Sequence, residues 1–296
     1  MNESIRRSAV ALGSLLLAAS PSLAQVNSNL STLTGPNAEG YLSPLPSALS
    51  ATLNSGIFRT GHVPKAGFTF MIEAKAMMVE FDDDDRTYTP EPVEGFSEVE
   101  APTVIGDPTG ATSDGPGGTV IDYPGGFDQE KFALGTPQLT IGAIAGTQAI
   151  VRWIAYDISD SDFDDIDLWG AGLQHSLSQW MPSFPVDLAA GFMYQQFSID
   201  EDTIDCSTWT ANVTGSKRFG AGVYFEPYAG LGYDSLEMTS EYENTSLSET
   251  IEVEFEKQND LHVTFGAGVG FPGVKLHAEY NIAAENALAG GISFGI

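Results

Sequence analysis

The sequence predicts an all-β protein, an antiparallel transmembrane β-barrel of about ten strands, within a range of about eight to twelve, with a short N-terminal helical plug segment. Three observations carry that expectation. Long stretches alternate strictly between apolar and small or polar residues, as in "LHVTFGAGVGFPGVKLHAEY" from Leu261 to Tyr280. No apolar run long enough for a membrane-spanning helix follows the first twenty-five residues. The connections between alternating stretches are by turns short and long, and the acidic residues gather in the long ones.

Residues 1–24 read as a secretory signal peptide, with basic Arg6 and Arg7, an apolar run from Ala9 to Ala19, and a small-x-small site, Ser22-Leu23-Ala24, before Gln25. The only cysteine is Cys206, which rules out an intramolecular disulfide framework in an exported chain and reads as a wall residue. Lys and Arg number 12 against 40 Asp and Glu, a net charge of -28. Nucleic acid is thereby excluded as a partner, because its phosphates would be repelled. The acids are clustered as "DDDD" at 82–85, "DSDFDDID" at 160–167, "DEDTID" at 200–205, and the glutamates from Glu237 to Glu256.

Taken backwards from the C-terminus, strands are expected over 287–296, 274–283, 249–271, 221–239, 207–216, 186–198, 167–177, 148–157, 137–145 and 67–81. The stretch 249–271 reads as one strand extending above the membrane. Ile251, Val253, Phe255, Leu261, Val263 and Phe265 share one parity, and Glu252, Glu254, Glu256 and His262 share the other. The final strand, with Phe294 and Ile296 at alternate positions, resembles the C-terminal assembly signal of bacterial outer-membrane barrels, although Ile296 stands where an aromatic residue is usual. That resemblance implies the barrel assembly machinery as a partner.

Outward aromatics sort by height. Phe68, Phe225, Phe271 and Phe294 fall near one end of the strands, and Tyr194, Trp209, Tyr233 and Tyr280 near the other. The step from Phe225 to Tyr233 corresponds to roughly 20 Å of height, close to the apolar band of an outer membrane. Pro227 falls on the outward face of a strand interior and requires a bulge or an unpaired position. The connection 82–136, rich in Gly, Pro and acid, is expected to be an extracellular loop too long to pack fully.

The stretches "EGYLSPLPSALSATLNSGIFRTG", "PTVIGDP", "YPGG", "GLQHSLSQWMPSFPVDL" and "LHVTFGAGVGFPGVKLHAEYN" resemble an uncharacterised family of Gram-negative outer-membrane barrels. The resemblance implies a fold and an outer-membrane location, with lipid and lipopolysaccharide as surroundings, and no activity. The order of an N-terminal segment ahead of a medium-sized barrel is similar, more loosely, to transporters of fatty acids and other hydrophobic compounds.

Residues 25–66 carry one expected helix. Ser43 suits an N-cap, Pro44 and Pro46 a first turn, Leu45, Leu49 and Leu53 one apolar face, and Gly56 a stop. A helix this short must bury its leucines, and the lumen is the expected place. The polar parity of the strands assigns Glu73, Lys75, Arg152, Asp187, Tyr224, Glu226, Tyr228, His262, Lys275, His277 and Glu279 to the lumen. Gly230, Gly232, Gly266, Gly268 and Gly270 share that face and leave room for something bulky, for which the helix is the first candidate.

No serine motif accompanies the histidines, so no catalytic residues are assigned and an enzyme is not expected. The run at 160–167 has Asp165 where a calcium loop places glycine, and no metal or cofactor is expected. Two functions remain. One is passive transport or binding of a small, possibly hydrophobic solute, cargo unknown, through a plugged lumen; the other is a structural or surface-interaction barrel with a closed interior.

Overall fold

The computed structural model describes residues 23–156, 166–181, 183–199, 203–245 and 247–296. The signal-peptide residues 1–22, the acidic run through Asp165 and residues 200–202 lie outside them, so the expectations made there have no structural counterpart.

Among the described residues three short helices come first: α1 (Leu23–Leu30), α2 (Gly35–Leu42) and α3 (Leu45–Leu53). The single helix expected over 25–66 is therefore only the third of three. Pro36 and Pro46 sit in the first turns of α2 and α3, where a missing N–H costs nothing.

Ten long strands then form a closed antiparallel wall. They are β1 (Ala66–Glu80), β6 (Lys131–Ile144), β7 (Thr147–Tyr156), β8 (Ile166–Ser176), β9 (Asp187–Ile199), β10 (Ile204–Ser216), β12 (Val223–Asn244), β14 (Gln258–Phe271), β15 (Val274–Ile282) and β16 (Ala287–Gly295). Each pairs with its sequence neighbour in the wall, β1 pairs with β16, and the cycle runs unbroken through β10 against β12. Closure leaves no open sheet edge. Short connections at 145–146, 177–186, 217–222, which holds the three-residue strand β11 (Phe219–Ala221), and 272–273 mark one end of the barrel, the turn end. The opposite, loop end carries the residues between β1 and β6, between β12 and β14, and Ala283 to Asn286.

The stretch 249–271 is not one strand. β13 (Glu249–Glu254) and β14 both pair with β12, but Thr239 faces Glu254 whereas Leu236 faces Gln258, so one extra residue is accommodated between them. A one-residue slip exchanges the faces of a strand. Val253 is accordingly buried and Ile251 half-buried on the inside, while Leu261 and Phe265 of the same parity face outward.

Pro227 is accommodated without a bulge. The ladder of β10 against β12 ends at Ser216 and Tyr228, so Pro227 stands just past it, and its carbonyl accepts from Lys217 N at 3.2 Å. On the outside Trp169 pairs with Tyr194, centroids 5.7 Å apart, and Trp209 pairs with Tyr233 at 5.6 Å and with Phe192 at 6.0 Å.

The long connection is folded rather than loose, and it is shorter than expected, since β6 already begins at Lys131. Two hairpins, β2 (Thr87–Tyr88) with β3 (Ala101–Pro102) and β4 (Ala111–Asp114) with β5 (Val120–Tyr123), organise it. Its apolar residues Ala101, Val104, Ile105 and Tyr123 are buried against Val26, Leu30, Leu33, Tyr41 and Leu42 of the helical segment, Tyr242 of the wall and Val253 of β13. The connection thus caps the loop end.

Candidate functional site: the filled lumen

The lumen has two layers. Near the loop end the inward wall positions are apolar: Met77, Leu134, Ile154, Leu168, Phe197, Cys206, Leu236 and Met238 surround Leu49 and Leu53 of α3 in one buried cluster. Leu45 is half-buried and joins this cluster to the one beneath the cap. Cys206 is a free, buried member of the apolar wall.

Toward the turn end the inward positions become polar, and the chain leaving α3 runs among them. Arg152 is wholly buried where the layers meet, with Nη1 donating to Leu53 O and Nη2 to Ser55 O, both at 2.9 Å, and Nε to Gln138 Oε1 at 2.9 Å. Gln195 Nε2 donates to Leu53 O at 2.8 Å, Asn54 Nδ2 to Thr208 Oγ1 at 2.8 Å, and Gly56 N to Glu279 Oε1 at 2.7 Å. Lower down, Arg59 Nε reaches Glu73 Oε2 at 3.0 Å, Thr60 donates to Glu226, Gln174 Nε2 donates to Thr60 O at 2.8 Å, and Gly61 N donates to Ser216 Oγ at 2.9 Å. Gly56, at φ 70°, makes the left-handed turn by which the chain leaves the helix, and a Cβ there would press on Ala289 at 3.3 Å.

Of the residues assigned to the lumen from the sequence, Glu73, Lys75, Arg152, Glu226, Tyr228, His262, His277 and Glu279 are buried and Tyr224 is half-buried. Five of them fall into two groups. Glu73 lies 3.1 Å from Lys75 Nζ, which lies 3.1 Å from His277 Nε2. Tyr228 donates to Glu279 Oε2 at 2.8 Å. Glu226 instead gathers Thr60, Ser216 and Arg218. His262 stands apart, its Nδ1 2.7 Å from Asp234 Oδ2. Asp187 is at the turn end, with Oδ2 2.8 Å from His62 Nδ1.

The inward glycines make room mainly for neighbouring wall rings rather than for the helix. A Cβ at Gly266 would strike Tyr228, at Gly270 Tyr224, and at Gly232 His262. Gly191 alone of this kind receives the segment, which lays Phe58 over it.

Sequence reasoning missed charged partners, Arg59, Arg218 and Asp234, and neutral ones, Gln138, Gln174, Gln195, Thr208 and Asn281. Of these, Gln138 and Asn281 stand between apolar neighbours at inward parity, which was the available signal. Under the cap, Asn29 Nδ2 donates to Tyr41 Oη at 2.8 Å and Tyr41 donates to Gly125 O at 3.1 Å, while burial pushes the Tyr41 hydroxyl up to about 12, with the Asn29 bond opposing that rise. Among the described residues no cluster of His, Cys, Asp and Glu could hold a metal ion.

A closed ten-stranded wall with an internal helical segment defines a plugged β-barrel of the outer-membrane class. The chain belongs to DUF6588, a family of unknown function whose model matches residues 5–296. No curated protein sequence matches it. Among solved structures it is similar to the β domain of the Bordetella autotransporter BrkA, at 12% identity over 78% of this chain and 100% of that one, with a TM-score of 0.38. It is also similar to a loop-deleted form of the Vibrio cholerae outer membrane protein OmpT, at 12% identity over 79% and 100%, TM-score 0.28. A Pseudomonas aeruginosa FadL homologue matches at 8% identity over 89% and 97%, TM-score 0.23.

Proposed function

We propose that the protein is exported by a signal peptide removed before Gln25 and resides in the outer membrane of a Gram-negative bacterium with its loop end outward. There it acts as a structural or surface-interaction barrel, closed by its own N-terminal segment and presenting an acidic cap to lipopolysaccharide and its divalent ions. The observation that supports closure is the series of mostly buried hydrogen bonds that ties the run from Leu53 to Gly61 to the wall, lying directly beneath an apolar layer that encloses Leu49 and Leu53. A conducting path for a small solute would have to displace both. Exposed Glu237, Glu241, Glu243, Glu252 and Glu254 support the acidic outer face.

Passive transport remains the second reading, and the feature that favours it is a cavity of about 260 Å³ at the turn end. Single-channel recording in planar bilayers separates the two. The intact mature chain is expected to hold the lipid baseline, and a chain lacking Gln25 to Gly56 to leak. Steady conductance by the intact chain would overturn the closed-barrel reading in favour of transport.

A further inference from the structure

Although the chain holds only 12 Lys and Arg against 40 Asp and Glu, the turn-end cavity is lined by three of those cations, Arg59, Arg218 and Lys275, and by no acidic side chain. Its cations are under-compensated. Glu73 Oε2 serves both Arg59 Nε at 3.0 Å and Lys75 Nζ at 3.1 Å, and Glu226 Oε2 serves Arg218 Nε at 2.8 Å. Among the described residues Lys275 forms no ion pair and the α-carboxylate of Ile296, which lines the same cavity, pairs with none of these cations, so the four share two side-chain carboxylates.

The surplus is concentrated at one point. Arg59 Nη2 and Lys275 Nζ both turn to Met71 Sδ, at 3.0 and 3.3 Å. A thioether is a weak acceptor, and two cationic groups facing one sulfur repel each other while their donors stay poorly satisfied. Arg218 is held in place with its guanidinium carbon 4.7 Å from the Tyr224 ring centroid. Ile296, which also lines the cavity, is tied by main-chain bonds in both directions to Phe70.

We propose that this cavity binds an anionic group of the carboxylate or phosphate class, taken up by Lys275, Arg59 and Arg218. The fork of an arginine and the point charge of a lysine are the donors that such oxygens select. Both a free solute and a lipid headgroup offer this chemistry, and the cavity opens at the end of the barrel where either could enter. The site does not depend on whether the lumen conducts.

The test is calorimetric titration of inorganic phosphate into the full mature chain reconstituted in phosphatidylcholine vesicles, repeated in phosphatidylglycerol vesicles. Saturable binding is expected in phosphatidylcholine, weakened at least tenfold by Lys275→Met and by Arg218→Gln. Lys65→Met, outside the cavity, should leave it unchanged. Loss of phosphate binding in phosphatidylglycerol alone would identify a lipid headgroup as occupant; equal binding in both lipids would identify a free anion. Two cavity variants are used so that failure of one to fold, seen as loss of heat-modifiable gel mobility, leaves the other as the test. Phosphate binding that is absent from the unsubstituted chain in both lipids, or identical in the folded cavity variants, would overturn the proposal.

Discussion

The two layers of the lumen hold the same N-terminal segment by opposite means. Near the loop end, α3 is gripped by leucines set into an apolar wall; near the turn end, the extended chain after it is gripped by hydrogen bonds to buried Gln, Thr, Arg and Glu. Shape explains the difference. A helix satisfies its own backbone internally and offers only side chains, so an apolar wall suffices. An extended run leaves its N–H and C=O groups free, and in a closed interior each must find a wall partner.

The layers can therefore be broken separately, and the largest effect belongs to the residue that joins them. Arg152→Ala removes three donors, leaves Leu53 O with only Gln195 and Ser55 O without this donor, and opens a cavity. A loss on the order of 4 kcal/mol is expected from the unmet carbonyls and the cavity together. Urea unfolding in vesicles, followed by tryptophan fluorescence, measures it. A loss below about 1 kcal/mol would mean that water replaces the guanidinium freely and that the polar layer is not sealed.

Leu53→Ala probes the apolar layer alone. Leu53 is fully buried, and truncation there should cost about 3 kcal/mol. The distinguishing readout is amide exchange. The variant should loosen 45–53 while 56–61 stays protected, whereas Arg152→Ala should loosen 53–56 first. Identical exchange patterns would show that the layers unfold as one unit.

What could be read from the sequence follows the same division. The wall was legible because the outward face of the membrane band is apolar and the inward face opposite it is polar or small, as with Leu231 against Gly232 or Phe265 against Thr264. Above that band the polarity inverts: Leu236, Met238 and Tyr242 point in, Glu237, Glu241 and Glu243 point out. Alternation alone does not show an inserted residue, so a single parity read through 249–271 puts Ile251 and Val253 on the face of Leu261 and Phe265, whereas the extra residue between β13 and β14 turns them inward. α1 and α2 lacked a long apolar stripe of their own, because they are covered on several sides by the cap and the wall at once. The folding of the cap has a similar cause. Val104 N donates to Tyr41 O at 2.7 Å and Glu91 N to Asn37 Oδ1 at 2.9 Å, contacts between segments far apart in sequence.

A smaller effect is expected where the cap, the helices and the wall meet. Tyr242 Oη donates to Leu33 O at 3.0 Å, and Asn244 Nδ2 donates to the same oxygen at 2.8 Å. Because that carbonyl keeps one partner, Tyr242→Phe should cost only about 1 kcal/mol. A loss as large as that of Leu53→Ala would place the tyrosine hydroxyl at the centre of the cap, contrary to the apolar packing argued for this end.

The smallest effect is one of charge and appears only at the loop end. Glu285, between β15 and β16, has its carboxyl pushed up to about 7, first by burial and then by Asp85, Asp82 and Asp260, which face it from the start of the cap connection and from β14. A carboxyl whose folded value lies above its ordinary one binds its proton more tightly in the folded state, so its contribution to stability is complete below the ordinary carboxylate range and is lost as the pH rises through about 7. The cap should therefore be tighter at pH 5 than at pH 8, in the sense opposite to a salt-bridged acid. Limited proteolysis of the connection 81–130 at the two pH values checks this, with protease activity matched between them. Glu285→Gln should slow cleavage at pH 8 and leave little difference between pH 5 and pH 8, because the remaining acids no longer face a half-buried carboxylate. Cleavage that is faster at pH 5 in the unsubstituted chain, or a pH dependence untouched by the substitution, would assign the control of the cap to groups other than Glu285.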